Sequence, residues 1–86
     1  MSPSDAGIAD RVRRFVTTNF YVESGAVADG ASLLEQGIVD STGVLEIVAF
    51  LESEFGIAVE DDELLPRNLD SIAAISTYVR RKQSTA

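Results

Sequence analysis

The sequence contains neither cysteine nor histidine, and each absence removes a class of function. Without cysteine, the chain can form no disulfide and no thiolate zinc site, so any thiol chemistry would have to come from an added group. Without histidine, the most common general base and the most common metal ligand are both missing. We therefore expect no enzyme activity and no metal site.

Basic residues are also absent from the middle of the chain, since none lies between Thr17 and Pro66. That segment holds 11 acidic residues, and the whole chain has a net charge of −7. Nucleic-acid binding needs a basic footprint, so it is not expected here. A field of one sign favours partner proteins with basic surfaces, although the same acidity could simply keep a small protein in solution.

Long hydrophobic runs are missing as well. No apolar stretch approaches the roughly 20 residues that span a bilayer. The first residues have neither the basic region nor the apolar core of a signal peptide. We expect no membrane association and a cytoplasmic location. A length of 86 residues allows one domain, 1–86, with a small core and with frayed ends at residues 1–4 and 83–86.

Apolar residues recur at helical spacing in three segments of the chain. The first helix would be capped by Ser4 or Asp5, the second would run from Ser41 to Phe55 and stop at Gly56, and the third would be capped by Asn68 or Asp70. Their predicted buried faces are Ile8, Val12, Phe15 and Val16; Val44, Ile47, Val48, Leu51 and Phe55; and Ile72, Ile75 and Val79, with Tyr78 beside them.

Two further segments complete the predicted fold. The acidic run from Glu60 to Leu65 is expected to form a short helix that Pro66 ends. Residues 21–40 form a long connection, which we expect to be fixed to the core by a turn at Leu33-Leu34 and by Ile38-Val39. The sequence thus predicts an all-α fold: a small four-helix bundle with three main helices, one short helix and a long first loop.

The most informative residue is Ser41, which follows Asp40 at the expected start of the second helix. A serine before an apolar helix is most often only an N-cap, but Asp40 is already a competent cap. A hydroxyl at a helix N-terminus is well placed to carry a phosphate-linked group, because free N–H groups and the helix dipole favour an anion there.

Three runs of sequence resemble the acyl carrier protein family in order and spacing. They are LLEQGIVDS at 33–41, LESEFGI at 51–57 and NLDSI at 68–72. The resemblance implies an acyl-carrier bundle in which Ser41, preceded by Asp40, holds 4'-phosphopantetheine. A phosphopantetheinyl transferase would attach that arm from coenzyme A, using magnesium, and its thiol would hold fatty acyl, polyketide or aminoacyl intermediates as thioesters.

The resemblance also implies a recognition face on the second helix, beside the arm. Its expected residues are Thr42, Leu45, Glu46 and Ala49, joined by Asp40. Basic residues of loading ligases, of downstream synthases or transferases, and of the phosphopantetheinyl transferase would face Asp40, Glu46 and the Glu60–Glu63 cluster. Glu46 could instead be an ordinary solvated residue, and Leu45 could belong partly to the core. The family resemblance suggests a monomer.

Two residues depart from the family's common pattern, in which leucine and then an acidic residue often follow the serine. Here they are Thr42 and Gly43, and we place both in the recognition face. They point away from the housekeeping fatty-acid carrier and toward specialised carriers, including some that hold aminoacyl groups.

Two other functions are weighed against the carrier. One is a carrier-like adaptor that is never modified and binds a basic partner protein. The other is an enzyme with Ser41 as nucleophile, which the absence of histidine argues against. The acidic run from Glu60 to Glu63 lacks the ligand spacing of a calcium loop, so we interpret it as a solvated helix start.

Overall fold

The computed structural model describes residues 5–85, whose regular elements are all helical and among which no strand occurs. Four helices follow in order: α1 (Asp5–Asn19), α2 (Ser41–Phe55), α3 (Pro66–Leu69) and α4 (Ile72–Thr85). Two 3₁₀ turns, Ser24–Ala26 and Asp61–Glu63, lie in the connections. The predicted all-α bundle, with three long helices, a short one and a long first loop, is confirmed.

The predictions for the two chain ends have different outcomes. The Ser4 cap and the fraying predicted for residues 1–4 and 86 lie outside the described residues. Residues 83–85, where we also predicted fraying, continue α4 as regular helix.

The short helix lies later in the chain than we predicted. Residues 60–65 contain only the 3₁₀ turn, and Pro66 begins α3 instead of ending a helix. Proline suits the first helical position because its fixed φ is already helical and its missing N–H would have no acceptor there.

The start of α4 also differs from the prediction, because Ser71 is the residue whose side chain caps it. The Ser71 Oγ accepts a hydrogen bond from the Ala74 amide at 3.0 Å. Asn68 donates its amide to the Glu63 carbonyl at 2.9 Å, and the Asp70 carboxylate is held by the long loop. Both predicted caps were therefore wrong, since each side chain has a tertiary partner.

The core draws on every helix and on the long loop. Its buried apolar residues are Ile8, Val12 and Val16 of α1; Ile47 and Leu51 of α2; Leu69 of α3; Ile72, Ile75, Tyr78 and Val79 of α4; and Val27, Leu33 and Val39 of the loop. The two predicted anchor points of the loop are confirmed at Leu33 and Val39. Val27 is a third anchor, which the sequence pattern did not indicate.

Four phenylalanines form an aromatic row, Phe15, Phe20, Phe50 and Phe55, where α1 meets α2. Phe15 and Phe50 stack with ring centroids 4.2 Å apart. Phe20 and Phe55 pack edge-on at the two ends of this pair, at 6.1 and 5.9 Å. All four rings are only half-buried, so the row closes the bundle while keeping one side near solvent.

Helix α1 ends in an unusual residue. The Val22 amide donates to the Thr17 carbonyl at 3.0 Å, as in a Schellman motif, and Tyr21 occupies the left-handed position with φ of 57°. Glycine is the usual residue there, because a side chain in this conformation costs about 1–2 kcal/mol. The Tyr21 side chain is 95% exposed, so packing does not offset that cost.

A charged cluster joins the Asp61–Glu63 turn to α4. Glu63 Oε1 accepts hydrogen bonds from Lys82 Nζ at 2.8 Å and from the Tyr78 hydroxyl at 3.0 Å. The Lys82 hydrogen bond, together with the backbone amide of Glu60, lowers the pKa of Glu63 to about 2. Burial, together with the Glu63 carboxylate, raises the pKa of Tyr78 above its usual range. The cluster therefore fixes the second connection of the bundle to its last helix.

Candidate functional site

Asp40 is the N-cap of α2, as the sequence predicts. Its backbone is extended, its side chain accepts a hydrogen bond from the Gly43 amide at 2.8 Å, and its carbonyl accepts from the Val44 amide at 3.0 Å. Ser41 is the first residue of the helix and is exposed. Within residues 5–85 the Ser41 hydroxyl has no hydrogen-bond partner, so capping does not occupy it.

The start of α2 also offers unused donors. Asp40 accepts hydrogen bonds from the amides of Gly43 and Val44. The N–H groups of Ser41 and Thr42, by contrast, have no acceptor among the described residues. Free N–H groups and the positive end of the helix dipole favour an anion at this point. The surroundings of Ser41 therefore fit a phosphodiester carried by its hydroxyl.

A cavity of about 270 Å³ opens beside Ser41. Its walls come from the turn before α2, from α2 itself and from the segment around α3. Apart from Ser41, the lining residues are Leu34, Val44, Leu64, Leu65, Pro66, Leu69 and Asp70. The lining is mostly apolar, so the space next to the serine suits an apolar group.

The turn that precedes Ser41 is held by Asp70. Its carboxylate accepts hydrogen bonds from the Ser32 hydroxyl and from the Leu34 amide, the latter at 2.8 Å, and its carbonyl accepts from the Leu33 amide at 2.7 Å. Gly37 then turns the chain with φ of 71°, a conformation that glycine adopts without strain. The approach to Ser41 is thus anchored to the start of α4.

Gly43 does not lie in the recognition face, where we had placed it. It is buried, and a β-carbon built on it would lie 2.9 Å from both Phe20 Cε1 and Val39 Cγ1. The glycine lets the Phe20 ring and the Val39 side chain approach the first turn of α2. Its presence therefore reflects packing and carries no information about partners.

The other residues predicted for the recognition face are all exposed: Asp40, Thr42, Leu45, Glu46 and Ala49. Leu45 is 60% exposed, which excludes the core role that the sequence left open for it. Glu46 accepts a long hydrogen bond, 3.4 Å, from the Asn19 side chain and otherwise faces solvent. Thr42, Leu45, Glu46 and Ala49 are spaced three or four positions apart, so they share one face on the first turns of α2. Asp40 lies immediately before Ser41, at the start of that face.

The acidic cluster at 60–63 is only partly available to a partner. Glu63 is half-buried and paired with Lys82, while Asp61 and Asp62 are exposed. Glu60 and Glu63 also form a capping box around the 3₁₀ turn. Across residues 5–85, no group of three or more metal-ligating side chains could hold a metal ion.

The sequence pattern does not identify two residues that shape the site, Phe20 and Asp70. Phe20 follows the last periodic residue of α1, so the helical spacing assigns it to no face. An aromatic residue directly after an apolar helical face nevertheless indicates a side chain that packs against the core. The sequence predicts Asp70 as a helix cap, and only the fold, which brings it to Ser32, reveals its other role.

None of the helices within residues 5–85 combines the length and the apolar character that a membrane-spanning helix needs.

Comparison with known proteins matches residues 10–79 to the family described as a phosphopantetheine attachment site. The chain is 33% identical over 73 residues to acyl carrier proteins of Sinorhizobium fredii and Rhizobium meliloti, covering 85% of this chain and 87% of each relative. It is 32% identical over 80 residues to an acyl carrier protein of Akkermansia muciniphila, covering 93% of this chain and 98% of that relative.

The family match extends over most of the chain and the relatives are covered nearly end to end, so fold and family agree. Such proteins are carriers without catalysis of their own, they bear covalently attached 4'-phosphopantetheine, and they interact with a phosphopantetheinyl transferase and with biosynthetic enzymes. The chain belongs to the acyl carrier protein family.

Proposed function

We propose that Ser41 is the residue that carries 4'-phosphopantetheine. One observation supports this above all: the Ser41 hydroxyl is exposed at the first position of α2, and Asp40 does the capping in its place. In the attachment reaction the Ser41 oxygen would form a phosphodiester with the pantetheine phosphate of coenzyme A. Adenosine 3',5'-bisphosphate would leave, and the hydroxyl proton would pass to a base of the transferase.

The residues around Ser41 have separate roles in this proposal. The free amides of Ser41 and Thr42 would stabilise the phosphodiester. Asp40 keeps the helix start formed while the serine is modified. Asp70 holds the preceding turn, so that Leu34 stays at the wall of the cavity beside the arm.

We propose further that the cargo is an acyl group. The cavity beside Ser41 is lined mainly by aliphatic side chains, which favour an alkyl chain over the charged ammonium of an aminoacyl group. The exposed Thr42, in place of the common leucine, supports service in a specialised biosynthetic pathway. Gly43 does not support the specialised pathway, since it is buried under Phe20.

The recognition surface of this carrier is the exposed strip of α2, Thr42, Leu45, Glu46 and Ala49, together with Asp40. A partner enzyme, whether the transferase, a loading ligase or a downstream synthase, would place Arg or Lys opposite Asp40 and Glu46. It would cover Leu45, whose exposed isobutyl group is the one large apolar side chain of the strip.

The attachment is tested by incubating the protein with coenzyme A, magnesium and a broad-specificity phosphopantetheinyl transferase, followed by intact-mass measurement. The parent is expected to gain one phosphopantetheinyl group and Ser41→Ala none. Ser53→Ala, which removes another exposed serine of α2, is the matched control and should be modified like the parent. If the folded parent gains nothing, even with the transferase of its own host, the unmodified adaptor becomes the better account.

A further inference from the structure

A second and larger groove lies between α1 and α2, with a volume of about 590 Å³. Its floor is the stacked pair Phe15 and Phe50, and Arg11, Arg14, Tyr21 and Glu54 line its rim. The carrier function proposed above assigns no role to these residues.

This groove is separate from the phosphopantetheine site. Phe50 lies nine positions after Ser41, which at about 100° per residue places it half a turn around α2 and about 13 Å along its axis. The cavity beside Ser41 shares no lining residue with the groove. A molecule bound in the groove would therefore leave the arm and its cargo free.

The charge of the groove is opposite to that of the rest of the chain. Arg11 is paired with Glu54 and stacks over the Phe55 ring, with 5.1 Å between its guanidinium carbon and the ring centroid. Arg14 is exposed, and its guanidinium has no partner within the described residues. An unpaired guanidinium beside an aromatic floor suits a carboxylate whose neighbouring side chain is apolar.

Tyr21 is the second sign that the groove has an occupant. It stands 95% exposed on the rim in a left-handed backbone conformation, where glycine would be more stable. Among the described residues, no packing explains a tyrosine there. Strained residues with exposed aromatic side chains are typical of binding surfaces, where the aromatic group covers a partner.

We propose that this groove is a second docking surface, which binds an acidic segment of a partner protein through a carboxylate on Arg14 and an aromatic or large aliphatic side chain packed against Phe15, Phe50 and Tyr21. The partner's acidity follows from the unpaired arginine, and its apolar residue from the ring pair on the floor. A second copy of the chain fits less well, because the net charge of −7 repels an equal charge of −7 far more than it repels a short segment with one or two carboxylates.

The probe for this proposal is a displayed library of random dodecapeptides, selected on the phosphopantetheinylated protein and separately on Ser41→Ala. Both selections should enrich peptides with Asp or Glu next to Phe, Trp or Leu, since the groove does not involve Ser41. For the best peptide, Arg14→Glu should weaken binding at least tenfold and Tyr21→Gly several-fold. Arg67→Glu, the same charge change at an exposed arginine of α3, should leave affinity within about twofold.

Several outcomes would overturn the proposal. They are the absence of enrichment, enriched peptides without acidic residues, or affinities that Arg14→Glu and Tyr21→Gly leave unchanged. Analytical sedimentation of the protein alone tests whether a second copy of the chain occupies the groove. A dimer that dissociates in the Arg14→Glu variant would show that it does, and would overturn the proposal. Equal binding by Ser41→Ala separates this result from any failure of the attachment experiment.

Discussion

The ring of Phe20 lies against Gly43 so closely that a β-carbon on the glycine would be 2.9 Å from Phe20 Cε1. Phe20 follows the end of α1, and Gly43 is in the first turn of α2, two residues after Ser41. Val39 closes the same space from the loop side, with its Cγ1 also at 2.9 Å. The three residues thus join the end of α1, the loop and the start of the helix that begins at Ser41.

We expect Gly43→Ala to destabilise the protein, although alanine is the better helix former. Overpacking against Phe20 and the buried Val39 costs about 1–3 kcal/mol, and the helix propensity of alanine returns at most about 1 kcal/mol. The net loss should be about 1 kcal/mol, which lowers the melting temperature by about 4–8 °C. Circular dichroism during heating measures it.

The control for this variant is Ala49→Gly, at an exposed position of the same helix. There the loss of alanine should itself cost about 1 kcal/mol. A rise in melting temperature for Gly43→Ala, alongside a fall for Ala49→Gly, would show that Gly43 is not needed for the approach of Phe20.

Tyr21→Gly is expected to stabilise the protein. Glycine removes about 1–2 kcal/mol of left-handed strain and returns about 0.5–1 kcal/mol to the unfolded chain as entropy. The free energy of unfolding should therefore rise by about 0.5–1 kcal/mol, as urea titration would measure. Tyr21→Ala keeps the strain and removes the ring, so it should not stabilise. Equal changes in unfolding free energy for the two variants would show that the left-handed backbone of Tyr21 is not strained.

The pairing of Glu63 with Lys82 should make stability depend on pH in the acid range. The pKa of Glu63 is about 2 in the folded protein, below its ordinary value of 4.5. A lowered folded pKa means that the carboxylate contributes stability above pH 4.5 and that the contribution is lost as the pH falls toward 2. The gap in unfolding free energy between parent and Glu63→Gln should therefore shrink over that interval.

Asp62→Asn is the matched variant, since it removes an exposed carboxylate of the same turn that forms no ion pair within the described residues. Urea titrations at a series of pH values on all three proteins give the comparison. A constant difference between parent and Glu63→Gln down to pH 2 would show that the ion pair does not hold the carboxylate in its charged form.

Glu46→Lys should weaken productive contact with a phosphopantetheinyl transferase. Glu46 is exposed on the proposed recognition surface, so reversing its charge should repel a basic partner, and salt screens the repulsion. We expect kcat/KM for modification to fall by about tenfold at low salt and by much less at about 0.5 M NaCl. Circular dichroism should show unchanged helix content.

Glu23→Lys makes the same charge change at an exposed position of the long loop. It should alter the kinetics far less than Glu46→Lys at low salt. Equal losses for both variants would mean that the transferase responds to net charge and does not recognise the α2 surface.

By itself, the sequence determined the three long helices, the cap at Asp40, the stop at Gly56 and the position of Ser41. These features depend on residues within a few positions of one another, so apolar spacing and capping chemistry are enough to predict them. The two anchor points of the loop were also predictable, because Leu33-Leu34 and Ile38-Val39 are the two pairs of adjacent large aliphatic residues between Tyr21 and Asp40. Val27 has no such neighbour, so the pattern did not single it out.

Only the tertiary structure decided which side chains serve the local elements and which serve distant ones. Asp70 could have capped α4, but its carboxylate holds Ser32, 38 positions away, and Ser71 caps the helix instead. Glycine has a poor helix propensity, but at position 43 it is favoured because the Phe20 ring occupies the space that a side chain would need. Packing and hydrogen bonds between remote segments outweigh local preferences of about 1 kcal/mol, and one-dimensional spacing carries no record of which remote segments meet.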